Sequence, residues 1–541
     1  MASSTQQQWL FMLATHLRSL SFRGSRLVCM HLASEWPKAP YGDWSRWLAI
    51  LQDMYHFDAS GSDELLQGLE RSGLLTAGEC SACARHWDGL HENSLPPAHK
   101  VAMLHELAFQ MDMNLEERAN SAFLTRLYRF REVLVLYLIS LADPDYDPSH
   151  DYGHGDELTG RLFKHYRAGE LKGYEGAYFF LHSRQLADTI RLRNHSIVGH
   201  GRVGVSSVTL WHEYEGYPRY EAGDHAQRFL ADMVILFNDL RRPLIHNPYR
   251  LIAQRFYEKI EAEIARGPIG AGSYIGKTLF EGYLTDFHYR AMVELMQQGG
   301  LPRRLENPLG VARRLLWGNV NEQDTDAVIA QIRRLQSKRF SGVSLAEIRG
   351  SWARLASGEQ RAVISLLFYQ MKAFAHMGDY GEWITRVYRM AEELLMVYVG
   401  YDYNTETHQP TCKAGSHVEG HVNQEHGSPQ CLMLHRLYPV SVKCHESRSE
   451  AFILLENQWV PGLIRLRSHG FSGHGDKALT PRAIGENWRS VDRVEDDLRE
   501  AMAQLGLALE RDWFADLHAI IQDVYSDATQ VSSSQPTDRA N

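Results

Sequence analysis

Apolar residues recur at every third or fourth position over Leu124–Ile139 and again over Ile384–Val399, with Glu and Arg between them. That spacing follows the 3.6-residue turn of an α-helix and predicts two helices with an apolar face. The pattern returns over Gln227–Leu240 and Val491–Leu505. No alternation of strands and helices is legible, so the chain reads as mainly α. The short run Leu27-Val-Cys-Met-His-Leu32 fits a strand or a buried helix equally well. Pro243, Pro248, Gly267, Pro268 and the cluster Gly299, Gly300, Pro302 interrupt the middle of the chain. From about Ser526 the apolar content falls too low to fold, and 526–541 is expected to be disordered.

Two of these segments are copies of one another. Residues 102–132 align without gaps on 362–392, so that Leu124-Thr-Arg-Leu-Tyr-Arg129 faces Ile384-Thr-Arg-Val-Tyr-Arg389. A glutamate follows three residues later in both, Glu132 and Glu392. A second pair of blocks lies downstream in the same order. Arg191-Leu-Arg-Asn-His-Ser-Ile-Val-Gly-His-Gly201 faces Arg465-Leu-Arg-Ser-His-Gly-Phe-Ser-Gly-His-Gly475. Two matching blocks in one order predict an internal duplication. The second copy is longer between its blocks, and the extra length is assigned to 402–450, where Asn, Thr, Gly, Pro and His are dense. The expected spans are a helical region 1–99, a first repeat domain 100–250, a helical middle 251–359, and a second repeat domain 360–515 carrying that insertion.

Composition narrows the function classes. A hydrophobic fraction of 44% and a charged fraction of 23% are those of an ordinary globular protein, and 541 residues suffice for several domains. No apolar run is long enough for a membrane span, and the N-terminus lacks a signal-peptide pattern, so the expected location is the cytoplasm. Net charge is −9, which argues against a protein that coats duplex nucleic acid and leaves room for a local cleft. Six cysteines in so long a chain do not make a disulfide framework.

The downstream blocks carry the candidate chemistry. On a helix, residues seven apart lie about two turns apart on one face, which would pair Arg193 with His200 and Arg467 with His474. A permanently charged guanidinium forks onto phosphate oxygens, and imidazole exchanges protons near neutral pH. Together they suit cleavage of RNA by attack of the 2′-hydroxyl on the adjacent phosphorus. Asn194 is placed to orient phosphate or imidazole, while Gly199 and Gly201 leave room for a ligand or end the helix. His195 and His469 fall about 200° from the arginines and are expected to face elsewhere. One arginine–histidine spacing is weak; its recurrence in two diverged copies gives it weight.

The string Arg193-Asn-His-Ser-Ile-Val-Gly-His-Gly201 resembles the signature of HEPN ribonuclease domains, most of all those in the accessory ribonucleases of type III CRISPR systems. The upstream Tyr-Arg pair followed by Glu132 resembles the first-helix pattern of that family. The resemblance covers about 100–250 and 360–510. It implies tandem HEPN-like helical bundles related by internal pseudo-twofold symmetry, a composite site lined by Arg193, Asn194, His200, Arg467 and His474, and cleavage of single-stranded RNA without metal or other cofactor. Glu132 and Glu392 would support the site by pairing with arginine. Ser468 stands where the first copy has Asn194, so the halves are unequal. The paired domains would be supplied within one chain. Family members usually open with a Rossmann-like sensor for cyclic oligoadenylate, but residues 1–100 show no glycine-rich loop after a strand. The alternatives left open are a constitutively active chain and one switched by RNA, by a protein partner or by cyclic oligoadenylate. The competing expectations are a non-catalytic RNA- or nucleotide-binding adaptor and a toxin-type ribonuclease restrained by an antitoxin.

Weaker constellations remain. Cys80 and Cys83 with His86 and His91 have partial zinc-ligand spacing, but cysteines three apart on a helix are commonly just packed. The His- and Cys-rich 402–450 insertion, from His408 and Cys412 to Cys444 and His445, reads as a solvated loop, as do His150, Asp151 and His154. The run Gly267–Lys277 lacks phosphate-loop spacing and reads as a turn.

Overall fold

The computed structural model describes residues 4–90, 96–146, 155–199, 201–202, 204–215, 225–264, 274–335, 344–404, 409–412, 434–448, 451–470 and 479–533. They are mainly helical, and the only sheet among them is a two-stranded antiparallel hairpin, Tyr401–Asn404 (β1) and Gln409–Cys412 (β2), with Tyr401 opposite Cys412. No described helix is long and apolar enough to cross a membrane. The chain divides into two compact units, each discontinuous in sequence. Unit one comprises Met1–Gln52, Tyr249–Asp379 and Leu507–Asn541; unit two comprises Asp53–Pro248 and Tyr380–Gly506. The second repeat is thereby shared: its helix Gln360–Met377 belongs to unit one and its helix Tyr380–Val399 to unit two.

Unit one is built from amphipathic helices. The helix Glu306–Leu316 buries Leu309, Ala312, Leu315 and Leu316, a three-to-four spacing that puts them on one stripe. The run Leu27–Leu32 is helical, within Phe22–Glu35, and buries Val28, Cys29 and Leu32. Trp352 and Trp513 are fully buried, and the Trp352 indole N–H donates to Asp516 at 3.4 Å. The last helix, Trp513–Ser533, corrects the expectation of disorder from Ser526 onward. Its large apolar residues from Trp513 to Tyr525 are buried, and once nucleated a helix gains one hydrogen bond for each residue it adds. Residues 534–541 lie outside those described.

Unit two is organised around two helices buried on nearly every side, Asn120–Ala142 (α1) and Tyr380–Val399 (α3). They contain the periodic segments of the two repeats. Helix α1 packs against Pro96–Glu116. Two shorter helices, Arg184–His195 (α2) and Trp459–His469 (α4), contact α1 and α3 respectively. The 402–450 insertion is more than a loop: its described part holds the β1–β2 hairpin and the helix Leu434–Arg448. Leu434, Leu437, Ser441 and Cys444 are buried on that helix, a regular stripe that the density of His and Cys around it hid. His408, His417, His421, His426 and Cys431, like His150, Asp151, His154, His91 and most of Gly267–Lys277, lie outside the described residues.

Cys80 and Cys83 are buried on the helix Ala77–Asp88, where burial pushes the Cys83 thiol up to about 12. The neighbouring His86 imidazole pairs with Glu106 at 3.2 Å. Both read as packing.

Buried neutral histidines give the fold an acid limit. Burial lowers His518 in unit one from 6.5 to about 4, and His105 in unit two by the same amount, with His86 adding to it. A depressed base binds its proton later in the folded chain than in the unfolded one, so its stabilisation is complete above pH 6.5 and is lost as pH falls toward 4. Each group contributes on the order of 3 kcal/mol over that window. Urea midpoints measured from pH 7 to pH 4 should fall steadily below 6.5, and less so in His518→Gln. A flat profile in the wild type contradicts this.

Candidate active site

The two motif arginines come to one place. Helix α2 carries Arg193 near its C-terminal end, and α4 carries Arg467 at the equivalent position. Arg193 is 5% exposed, although it is charged. Its guanidinium carbon lies 4.6 Å from the centre of the Tyr128 ring on α1, and that of Arg467 lies 4.1 Å from the Tyr388 ring on α3. Each arginine thus stacks on the tyrosine of its own repeat, an attraction of roughly 0.5–2 kcal/mol that also fixes the plane of the guanidinium. Burial, and next the charge of Arg467, push the Arg193 pKa down, while Tyr128, Glu132 and Glu392 oppose the shift. Groups from both repeats therefore act on one guanidinium.

Neither Arg193 Nε nor Arg467 Nε has a hydrogen-bond partner among the described residues, although both are buried. Arg193 Nη1 donates to Asn194 Oδ1 at 3.1 Å. Ser468, half-buried, takes the place of Asn194 on α4 with a shorter side chain. Two repelling cations whose buried Nε donors have no partner among the described residues make a place that favours an anion, because buried charge is costly until it is compensated.

The tyrosines are not bases here. The Tyr128 hydroxyl is pushed up to about 12, first by the Glu132 carboxylate and then by burial, against Arg193. Burial likewise raises Tyr388 to about 12, with Glu392 adding to it and Arg467 and Arg193 opposing. Both remain protonated at neutral pH and serve as platforms for the two arginines. Glu132 pairs with Arg129 at 3.3 Å on its own helix. Glu392 is fully buried, pairs with Arg389, and accepts the Leu434 N–H at 3.0 Å. The two glutamates are thus held by arginines of α1 and α3.

The shared helical face expected for arginine and histidine is not formed. Helix α2 ends at His195 and α4 at His469. Ser196 and Gly470, equivalent positions, turn extended, and they are the two described residues in isolated β-bridges. After Ser196 the chain folds back: the N–H groups of Gly199 and Gly201 both donate to the Ser196 carbonyl, at 2.9 and 3.0 Å. This return explains the glycines. A Cβ at Gly201 would sit 1.7 Å from the His195 carbonyl oxygen, and one at Gly199 2.2 Å from that of Arg193. The glycines end the helix and hold the loop against its last turn. His200 and His474 themselves lie outside the described residues, as does the side chain of His469. Gly201→Ala should lower any turnover at this site at least tenfold and also lower the melting temperature, since the added Cβ meets the backbone of His195 in the last turn of α2. Unchanged turnover in that variant would show that loop geometry does not matter.

Several contributors had no counterpart in the sequence reading. Arg389 on α3 reaches the other repeat's loop: Nε donates to the Ile197 carbonyl at 3.2 Å and Nη2 to the Gly201 carbonyl at 2.9 Å. Arg202 makes a two-pronged bond to Glu393, at 3.2 and 3.0 Å. Behind them, Arg126 of α1 and Arg386 of α3 bracket the fully buried Glu382, at 3.7 and 3.1 Å. Tyr128, Tyr388, Arg129 and Arg389 recur between the repeats and were findable that way. Glu382, Glu393 and Arg202 do not recur; Ala122, Val133 and Asp476 stand at the equivalent positions.

Comparison with models of known protein families, with curated proteins and with solved structures finds no match for this chain.

Proposed function

We propose that this chain is a metal-independent endoribonuclease of the HEPN type that cleaves single-stranded RNA at one composite site. In this reading two tandem HEPN-like bundles are related by internal pseudo-twofold symmetry, and the partner domain is supplied within the chain. The observation that carries it is the convergence of Arg193 and Arg467, one from each repeat, each stacked on its own tyrosine and each with a buried Nε lacking a partner among the described residues.

A phosphodiester in this position would take the free guanidinium donors and relieve the repulsion between the two cations. The 2′-hydroxyl then attacks the adjacent phosphorus, and the 5′-oxygen of the next nucleotide leaves. His200 and His474, each flanked by glycines in the sequence, take the proton from the hydroxyl and give one to the leaving oxygen. Arg193 and Arg467 stabilise the charge that gathers on the phosphoryl oxygens. The products are a 2′,3′-cyclic phosphate and a 5′-hydroxyl. Antiviral defence, CRISPR-linked or otherwise, and control by cyclic oligoadenylate or a protein belong to this reading through the family resemblance.

The test is cleavage of an end-labelled single-stranded RNA by the full chain in EDTA. Expected are a cyclic-phosphate end and loss of a cut wherever the nucleotide 5′ to it is 2′-deoxy. Absence of cleavage with and without added cyclic oligoadenylate, or cutting that persists beside the deoxy nucleotide, refutes the reading.

A further inference from the structure

The loop that follows α2 is fastened to α3 by four hydrogen bonds to fully buried side chains: two from Arg389 to the Ile197 and Gly201 carbonyls, and two between Arg202 and Glu393. Glu393 is the joint of this arrangement. It accepts from Arg202 through both oxygens and from Arg389 at 3.0 Å, so it orients both arginines that grip the loop. All three charges are withdrawn from water, where ion pairs keep their geometry because the alternative is an uncompensated buried charge. Glu393 and Arg202 do not recur in the sequence of the other repeat, where Val133 stands at the Glu393 position and Asp476 at the Arg202 position.

We infer that Glu393 is a positioning residue which, through Arg202 and Arg389, fixes the backbone that follows α2 in the composite site. This rests on the ribonuclease reading for its kinetic consequence, but the tether itself does not. Glu393 touches no reacting atom. It sets where the Ile197 and Gly201 carbonyls and Arg202 lie, and a displacement of about 1 Å in a reacting group is enough to cost a hundredfold in rate. Because RNA is gripped by Arg193 and Arg467, loosening the loop should lower kcat and leave KM nearly unchanged.

The experiment pairs two measurements on the full chain, for wild type, Glu393→Gln and Arg202→Gln. Glu393→Gln keeps the shape and removes the charge; Arg202→Gln leaves Glu393 paired with Arg389 and keeps the test alive if the first variant folds poorly. Hydrogen exchange of peptides spanning 196–202 should quicken about tenfold or more in both variants, with peptides across α4 unchanged. Turnover of labelled single-stranded RNA should fall about tenfold to a hundredfold, with KM within about threefold. Unchanged exchange over 196–202 overturns the tether whatever the activity. Quickened exchange with unchanged kcat overturns the positioning role. A wild type that cuts no RNA refutes the ribonuclease reading, and the exchange result then decides the tether alone.

Discussion

Arg193→Ala and Arg467→Ala should each lower RNA cleavage by about a hundredfold to a thousandfold, the range for removing one preorganised charge from a phosphoryl-transfer site. The decisive feature is how the two losses combine. If each repeat held its own site, either single variant would keep about half of the activity, and only the double variant would be inactive. With one composite site, either loss is nearly complete and the double variant adds less than the product of the two. The geometry points to the second outcome, since the Arg467 charge acts on Arg193 and Tyr388 feels both. Arg193→Lys should restore little, because an ammonium lacks the planar fork that lies on the Tyr128 ring. Half-activity in the single variants would contradict the composite site while leaving a ribonuclease in place.

The largest effect on stability is expected at Glu382. Its carboxylate lies between the guanidinium groups of Arg126 and Arg386, and all three side chains are buried. Removing one partner of a buried ion pair leaves charge without compensation and typically costs about 3–5 kcal/mol. Here two arginines lose their shared partner. Glu382→Ala should therefore unfold unit two at markedly lower urea, and Glu382→Gln should fall in between. Replacing Glu382, Arg126 and Arg386 together by apolar residues of similar size should cost far less than Glu382→Ala, because no charge is stranded. A Glu382→Ala midpoint close to wild type would mean that the buried charges are compensated elsewhere.

How much of this was legible in the sequence follows from what recurs. The helical segments were visible because α1 and α3 repeat apolar residues at helical spacing, and burial on nearly every side is what so apolar a pattern demands. Arg193 and Arg467 were visible because they survived divergence between two copies. The end of α2 at His195 was hidden, although its cause was in plain view: Gly199 and Gly201 read as helix-enders or as ligand room, and only the approach to the His195 carbonyl shows that the turn begins before them. The helix Leu434–Arg448 was masked by the His and Cys around its buried stripe. Glu382, Glu393 and Arg202 were out of reach, since a buried ion partner that one repeat lacks leaves no trace in a self-comparison. The division of the second repeat between two units was also out of reach, because periodicity reports which face of a helix is buried but not what buries it.

The most direct measurement is the cleavage rate of one labelled single-stranded RNA, in EDTA, by the variant His200→Ala with His474→Ala relative to wild type. If the two motif histidines carry the proton transfers of one site, the rate should fall by at least about a thousandfold, within the range general acid–base catalysis contributes. Cleavage at the wild-type rate would contradict a site built from the paired arginine and histidine motifs.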